Sequence, residues 1–202
     1  METQSETVLR ADLRRLAERT ADLKAEAEPI LAEATPAQWT WSPAPSTWSM
    51  ALVVEHLNSV ARLGLTAIEG GVARLRSEGV LSDVPPRYGF GERFFIRLLS
   101  PNPPFQVPVP AVYVPLSPGD PAVNTGPEFL RALDRAVACI VSANGLNLTK
   151  LKLPSPADAR IRLTVGAWLE GLVAHNDYHW LQVKALRSHP GFPHAGQTPA
   201  GA

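Results

Sequence analysis

Hydrophobic positions recur every three or four residues in four long stretches of the chain, the period of a helix with one buried face. In the first, about residues 7–34, the stripe is Leu9, Leu13, Leu16, Leu23, Ala27 and Ile30, and Pro36 marks its end. The second follows Ser49, a residue type that caps helix N-termini well. It carries Val53, His56, Val60, Leu63 and Ala67 before fading past Gly70-Gly71 and stopping near Gly79. The third opens on Thr125, Gly126, Pro127 and Glu128, the pattern of a capping box with proline in the first turn. Its face is Phe129, Leu133, Val137 and Ile140, and Asn144-Gly145 closes it. The fourth starts after Thr164 and ends before Pro190, with Val165, Trp168, Leu172, His175, His179, Gln182 and Leu186 on one face.

Four amphipathic helices predict an all-α four-helix bundle. Alternating patterns are nearly absent, so β-structure is not expected. The stretch from about residue 82 to 124, between helices 2 and 3, holds half of the chain's prolines. That density forbids a long helix and predicts a long crossover with a short helix around Glu92 to Leu99. Residues 146–163, with Leu148, Leu151 and Leu153 ahead of Pro154, are predicted to pack extended along the bundle. One domain is expected over residues 1–188, followed by a flexible tail over 189–202.

Composition narrows the function classes. A chain of 202 residues suits one domain with a sizeable core. Lysine plus arginine equals aspartate plus glutamate, at 19 each, so the formal net charge is zero, which argues against a nucleic-acid partner. The N-terminus lacks the apolar run of a secretory signal, and no window reaches the roughly 18 apolar residues of a membrane span. A cytoplasmic chain without membrane association is expected. The single cysteine, Cys139, permits no internal disulfide and is expected to be a buried filler.

The candidate chemistry lies in the histidines. His189 and His194 fall in the tail and are set aside. His56, His175 and His179 occupy inward stripe positions, where a buried imidazole needs partners for both nitrogens. Histidines four apart on a helix place their Cβ atoms about 5–6 Å apart on one face. His175 and His179 therefore suit convergence on one ion at about 2.0–2.1 Å, with His56 from another helix as the third ligand. Three protein ligands leave coordination positions open, as in catalytic sites. Core histidines bonded to carbonyls or acids are the alternative, and the pattern alone leaves both readings open.

Around these residues stand Trp39, Trp41, Pro43, Pro45, Trp48 and Ser49, leading into Glu55-His56-Leu57. Later come Ala174-His175 and Tyr178-His179-Trp180-Leu181-Gln182. This combination resembles the DinB-like (YfiT-type) superfamily, with a proline-to-Trp-Ser run before a His-Leu pair and a His-x-x-x-His motif followed by Leu-x-Gln. The resemblance implies an up-down-down-up bundle, often a homodimer. It also implies a divalent ion, commonly nickel, zinc or iron, held by His56, His175 and His179. Many relatives carry two adjacent histidines at the end of the second motif; here Tyr178 precedes His179, and the triad is unaffected.

Gln182 and Tyr178 are the remaining site candidates, for orienting a ligand imidazole or a substrate. Glu55 is expected to face solvent or be paired, and Asp177 to lie on the surface. The tryptophans are expected mainly to pack the loop, with a pocket wall as the alternative. Two functions follow from the resemblance. One is a metal-dependent enzyme activating a low-molecular-weight thiol or water against a small electrophile, of the S-transferase or hydrolase type. The other is a non-catalytic metal-binding or stress-response protein.

Overall fold

The computed structural model describes residues 8–115 and 124–193. Seven α-helices are present among them: α1 (Ala11–Glu33), α2 (Pro36–Thr40), α3 (Met50–Val60), α4 (Thr66–Ser77), α5 (Phe90–Leu99), α6 (Gly126–Ser142) and α7 (Val165–Arg187). A π-helical turn, Ala61–Leu65, joins α3 to α4 into one long rod. The rod, α1, α6 and α7 are the four predicted helices of the bundle.

Ion pairs and close contacts between the helices fix their directions. Along α1 and α7 the pairs Arg15–Glu170, Arg19–Asp177 and Glu26–Lys184 advance together, so these helices are parallel. Arg62–Glu128 and Glu69–Arg135 do the same for the α3–α4 rod and α6. By contrast, Arg10 near Asn144 and Lys24 near Asp134 make α1 antiparallel to α6. His56 faces His175, while further along the rod Gly71 faces Val165, so the rod is antiparallel to α7. The course is up, down, down, up. These exposed pairs contribute little stability individually; the core supplies it. Two apolar clusters fill the bundle, one around Leu13, Leu65, Leu75, Ile140 and Leu169, the other around Trp39, Leu57, Phe129, Leu133 and Trp180.

Side-chain caps start three of the seven helices, α2, α3 and α7. Ser49 accepts from the Leu52 amide at 3.4 Å, as predicted, and Thr164, after which the last helix was expected to start, accepts from the Ala167 amide at 3.3 Å. Gly145, at φ +74°, reverses the chain after α6. The capping box expected at Thr125 and Glu128 is not formed. Thr125 is itself helical (φ −67°, ψ −47°), lying with Asn124 in a π-helical stretch that runs into α6, and Glu128 binds Arg62 instead. A capping box occurs at Thr35 and Gln38, where it starts α2.

The π turn also corrects the second stripe. An extra residue in a turn rotates all later side chains. Beyond His56 the buried line runs Ala61, Leu65, Ile68, Val72 and Leu75, and Leu63 is 38% exposed.

The crossover forms α5 where a short helix was predicted, and α5 lies along α7. Glu92 accepts the Thr164 amide at 2.8 Å, and Phe95 meets Trp168 edge-on at 5.3 Å. A Cβ on Gly171 would stand 3.2 Å from Leu99, so glycine there permits the close approach of α5.

The expectation of no β-structure needs one correction. β1 (Lys152–Pro154) and β2 (Arg162–Thr164) form a short antiparallel pair, with Leu153 opposite Leu163, and the Leu153 carbonyl accepts from the Trp168 indole at 3.1 Å. Part of the predicted tail is also ordered: Phe192 is buried, edge-on to Trp41 at 5.5 Å. The rest of that tail, 194–202, lies outside the described residues. Among the described residues no helix is long and apolar enough to cross a membrane.

Candidate metal centre

His56 on α3 and His175 and His179 on α7 converge where the two rods face each other. Their ring centroids lie 4.4 to 5.2 Å apart, and one ligand atom from each falls within 4.8 Å of the other two. The three histidines are thus close enough to hold a metal ion. His56 and His179 are 2% and 5% exposed; His175 retains some surface, but its Nδ1 is fully enclosed.

The partners of the outer nitrogens set the tautomers. His56 Nδ1 lies 2.8 Å from the Tyr113 carbonyl, which can only accept, so Nδ1 carries the proton. His179 Nδ1 donates in the same way to Gln182 Oε1 at 2.8 Å. In the neutral rings both Nε2 atoms therefore present lone pairs. Metal-binding histidines have this arrangement: the far N–H is anchored so that the near nitrogen is aimed.

Electrostatics keep the rings neutral. Burial lowers the pKa of His56, opposed by its bond to the Tyr113 carbonyl. Burial, then the positive charge of a neighbouring imidazolium, puts His175 well below the usual range and His179 at about 3. All three are deprotonated at neutral pH, as ligation requires.

The fit to a cation can be tested on the nitrogens themselves. His56 Nε2 and His175 Nε2 lie 3.1 Å apart, and His175 Nδ1 has no hydrogen-bond partner among the described residues. Protein contacts alone thus leave His175 under-satisfied. Two lone pairs aimed inward from anchored rings, with a third ring beside them, suit a cation that accepts nitrogen ligands.

The triad opens onto a cavity of about 860 Å³. One wall is bundle, with Trp168, Leu172 and Tyr178; the opposite wall is crossover, with Phe95, Leu99 and Phe105. Trp48 lies over the histidines, its ring 5.1 Å from His56 and 6.2 Å from His179, nearly parallel to the latter. It is both the packing residue and the pocket wall, which sequence reasoning set against each other. Trp39 is wholly buried, and Trp41 packs on His189 and Phe192.

The other candidates divide. Gln182 bonds a triad member; Tyr178 lines the cavity and meets the His179 ring edge-on at 4.9 Å. Glu55 is buried and paired with Arg62 at 2.8 Å. Asp177 was expected on the surface but is largely covered, pairs with Arg19, and has its pKa raised by burial. Cys139 is buried and its thiol is pushed up to about 12, which leaves it inert. His189, set aside on sequence, lines the cavity beside Trp41. The Tyr113 carbonyl was missed altogether. A main-chain oxygen leaves no mark in a sequence, and the short 3₁₀ turn Ala111–Tyr113 that presents it sits among prolines.

An up-down-down-up bundle with three histidines facing a side cavity defines a class of helical proteins equipped to bind a metal. The chain belongs to the DinB superfamily, whose family model it matches over residues 19–183. No curated protein and no solved structure matches it significantly.

Proposed function

We propose that this chain holds one divalent metal ion through His56, His175 and His179 and is an enzyme that activates a thiol or water for attack on a small electrophile. A divalent ion at such a site supplies Lewis acidity that lowers the pKa of a bound thiol or water toward neutrality. The observation that carries the reading is the anchoring of two outer nitrogens, by the Tyr113 carbonyl and by Gln182, with their inner nitrogens neutral and convergent. Gln182 is a positioning residue, since its oxygen is committed to His179. Tyr178 offers a hydroxyl on the cavity wall to orient a substrate. Trp48 and the crossover exclude water from the side of the triad they cover.

A second reading, a non-catalytic metal-binding protein, draws on one observation. No aspartate or glutamate lines the cavity among the described residues, so no carboxylate stands ready as a general base.

The test has two stages. Purified protein should contain about one divalent ion per chain, measured by inductively coupled plasma mass spectrometry. His175→Ala and His179→Ala should lose most of it, and His189→Ala should retain it; equal content in all three would remove the triad. Metal-loaded protein is then incubated with low-molecular-weight thiols and a panel of electrophiles, esters and amides. Turnover that vanishes in His56→Ala supports the enzyme, and no turnover with any pair favours the second reading.

A further inference from the structure

The cavity wall has an unusual charge pattern for a site facing three neutral imidazoles. Among the described residues it includes no Asp, Glu, Lys or Arg. Its polar groups are hydroxyls and amides, such as Ser46, Thr47, Gln106 and Tyr178, and its titratable groups are the triad, His189 and two tyrosines. The surfaces that enclose most of the space are apolar: Phe95, Leu98 and Leu99 of α5, Val60 and Ile68 of the α3–α4 rod, and Leu172 of α7. The chain is not short of charged residues, with 38 of them, 19 of each sign. The ones nearest the site in sequence do not line the cavity and are taken up in pairs, Glu55 with Arg62 and Asp177 with Arg19.

We infer that this cavity receives an uncharged, largely apolar molecule, which makes that molecule the substrate class of the metal-dependent reading above, on which the assignment rests. Size and chemistry agree. A volume of about 860 Å³ lies within the range of about 300–1,000 Å³ typical of sites for drug-sized ligands. An ionised group that lies against this wall meets no charged side chain among the described residues to replace its hydration. An apolar body loses nothing on transfer and gains contact with the aromatic and aliphatic walls. Selection against anions and cations therefore comes from the wall itself, away from the histidines.

A matched pair of fluorescent probes tests this: neutral N-phenyl-1-naphthylamine and its sulfonated analogue, 8-anilinonaphthalene-1-sulfonate. Titrations use the full chain stripped of metal by chelator, so that no ion attracts the sulfonate. The neutral probe should bind at least about tenfold more tightly than the anion, the penalty for an unpaired buried charge. Val60→Trp, which fills the cavity, should weaken the neutral probe severalfold while helicity by circular dichroism is kept. Phe90, 79% exposed on the outer side of α5, is the control, and Phe90→Ser should change nothing. Ala185→Arg, on an exposed stretch of α7 that borders the cavity, should tighten the sulfonate by about threefold, the worth of one exposed charge pair.

Equal affinity for the two probes overturns the inference. So does loss of binding in Phe90→Ser with none in Val60→Trp, which would place the probe on the outer aromatic surface. Metal content measured on the same preparations keeps the two readings separate. Protein that never holds metal removes the metal-dependent reading whatever the probes do, and failure with the probes leaves metal content untouched.

Discussion

Each triad histidine is held by something other than an ion, and those contacts set measurable consequences. Gln182 accepts the Nδ1 proton of His179. Gln182→Leu leaves that N–H buried without an acceptor and frees the ring to turn. Metal affinity should fall by about 10- to 100-fold, read by competition with a chromogenic chelator, and unchanged affinity would deny Gln182 its positioning role. The histidines also make the metal-free protein sensitive to acid. Burial lowers each folded-state pKa below the ordinary histidine value of about 6.5, so the unfolded chain takes up protons first as pH falls. The stability they contribute is complete above about pH 6.5 and declines below it, by up to about 1.4 kcal/mol per pH unit for each histidine. The decline ends as pH reaches the folded-state value, about 3 for His179. Urea midpoints of chelated protein should fall between pH 7.5 and 5, and less so in His179→Ala; a flat profile would contradict the burial of neutral rings. The three histidines and Gln182 were legible in sequence because each sits at a helical step on one face. The Tyr113 carbonyl was not, because its position depends on how a proline-rich segment returns to the bundle.

Among the elements, two adjacent glycines of α4 behave in opposite ways. Gly70 is exposed and a Cβ there meets nothing within 4 Å, whereas at Gly71 it would lie 2.8 Å from Leu153 and 2.9 Å from Val165. Gly70→Ala should stabilise by roughly 0.5–1 kcal/mol through helix propensity. Gly71→Ala should destabilise by about 1–3 kcal/mol through overpacking against β1 and the start of α7. Thermal melts by circular dichroism decide it, and equal shifts would mean that β1 does not press on α4. The helical pattern was expected to fade past this pair and stop near Gly79; the helix runs through both glycines to Ser77, and Gly79 follows at φ +64°. The π turn was invisible in the sequence, since one extra residue in a helical turn has no compositional mark, and it moved Leu63 out to solvent. In α7 the visible stripe proved to be the cavity side. A second buried line, through Leu169, Val173, Trp180 and Val183, faces the bundle, so this helix is covered on both sides and a single-face pattern understates its burial.

At the scale of the molecule, the two apolar clusters share all four long helices. The first takes Leu13 and Leu16 from α1 and Leu169 from α7; the second takes Leu23 and Leu31 from α1 and Trp180 from α7. Neither cluster can lose its packing without freeing the rods that support the other. We therefore expect residues 1–188 to unfold as one domain. Urea transitions followed by far-ultraviolet circular dichroism and by tryptophan fluorescence should coincide; separated midpoints would divide the bundle into two units. The bundle's course was implied by family resemblance and is now carried by particular pairs, Arg62–Glu128 and Glu26–Lys184 among them.

The acceptor that orients His56 is a main-chain oxygen, and every amino acid has one. Position 113 can change its side chain without depriving the histidine of its partner. The same segment walls the cavity, so its side chains are at liberty to diversify around a fixed histidine. Within a lineage built this way, what the protein recognises can drift by substitution in the strap while the ring that it steadies keeps its aim.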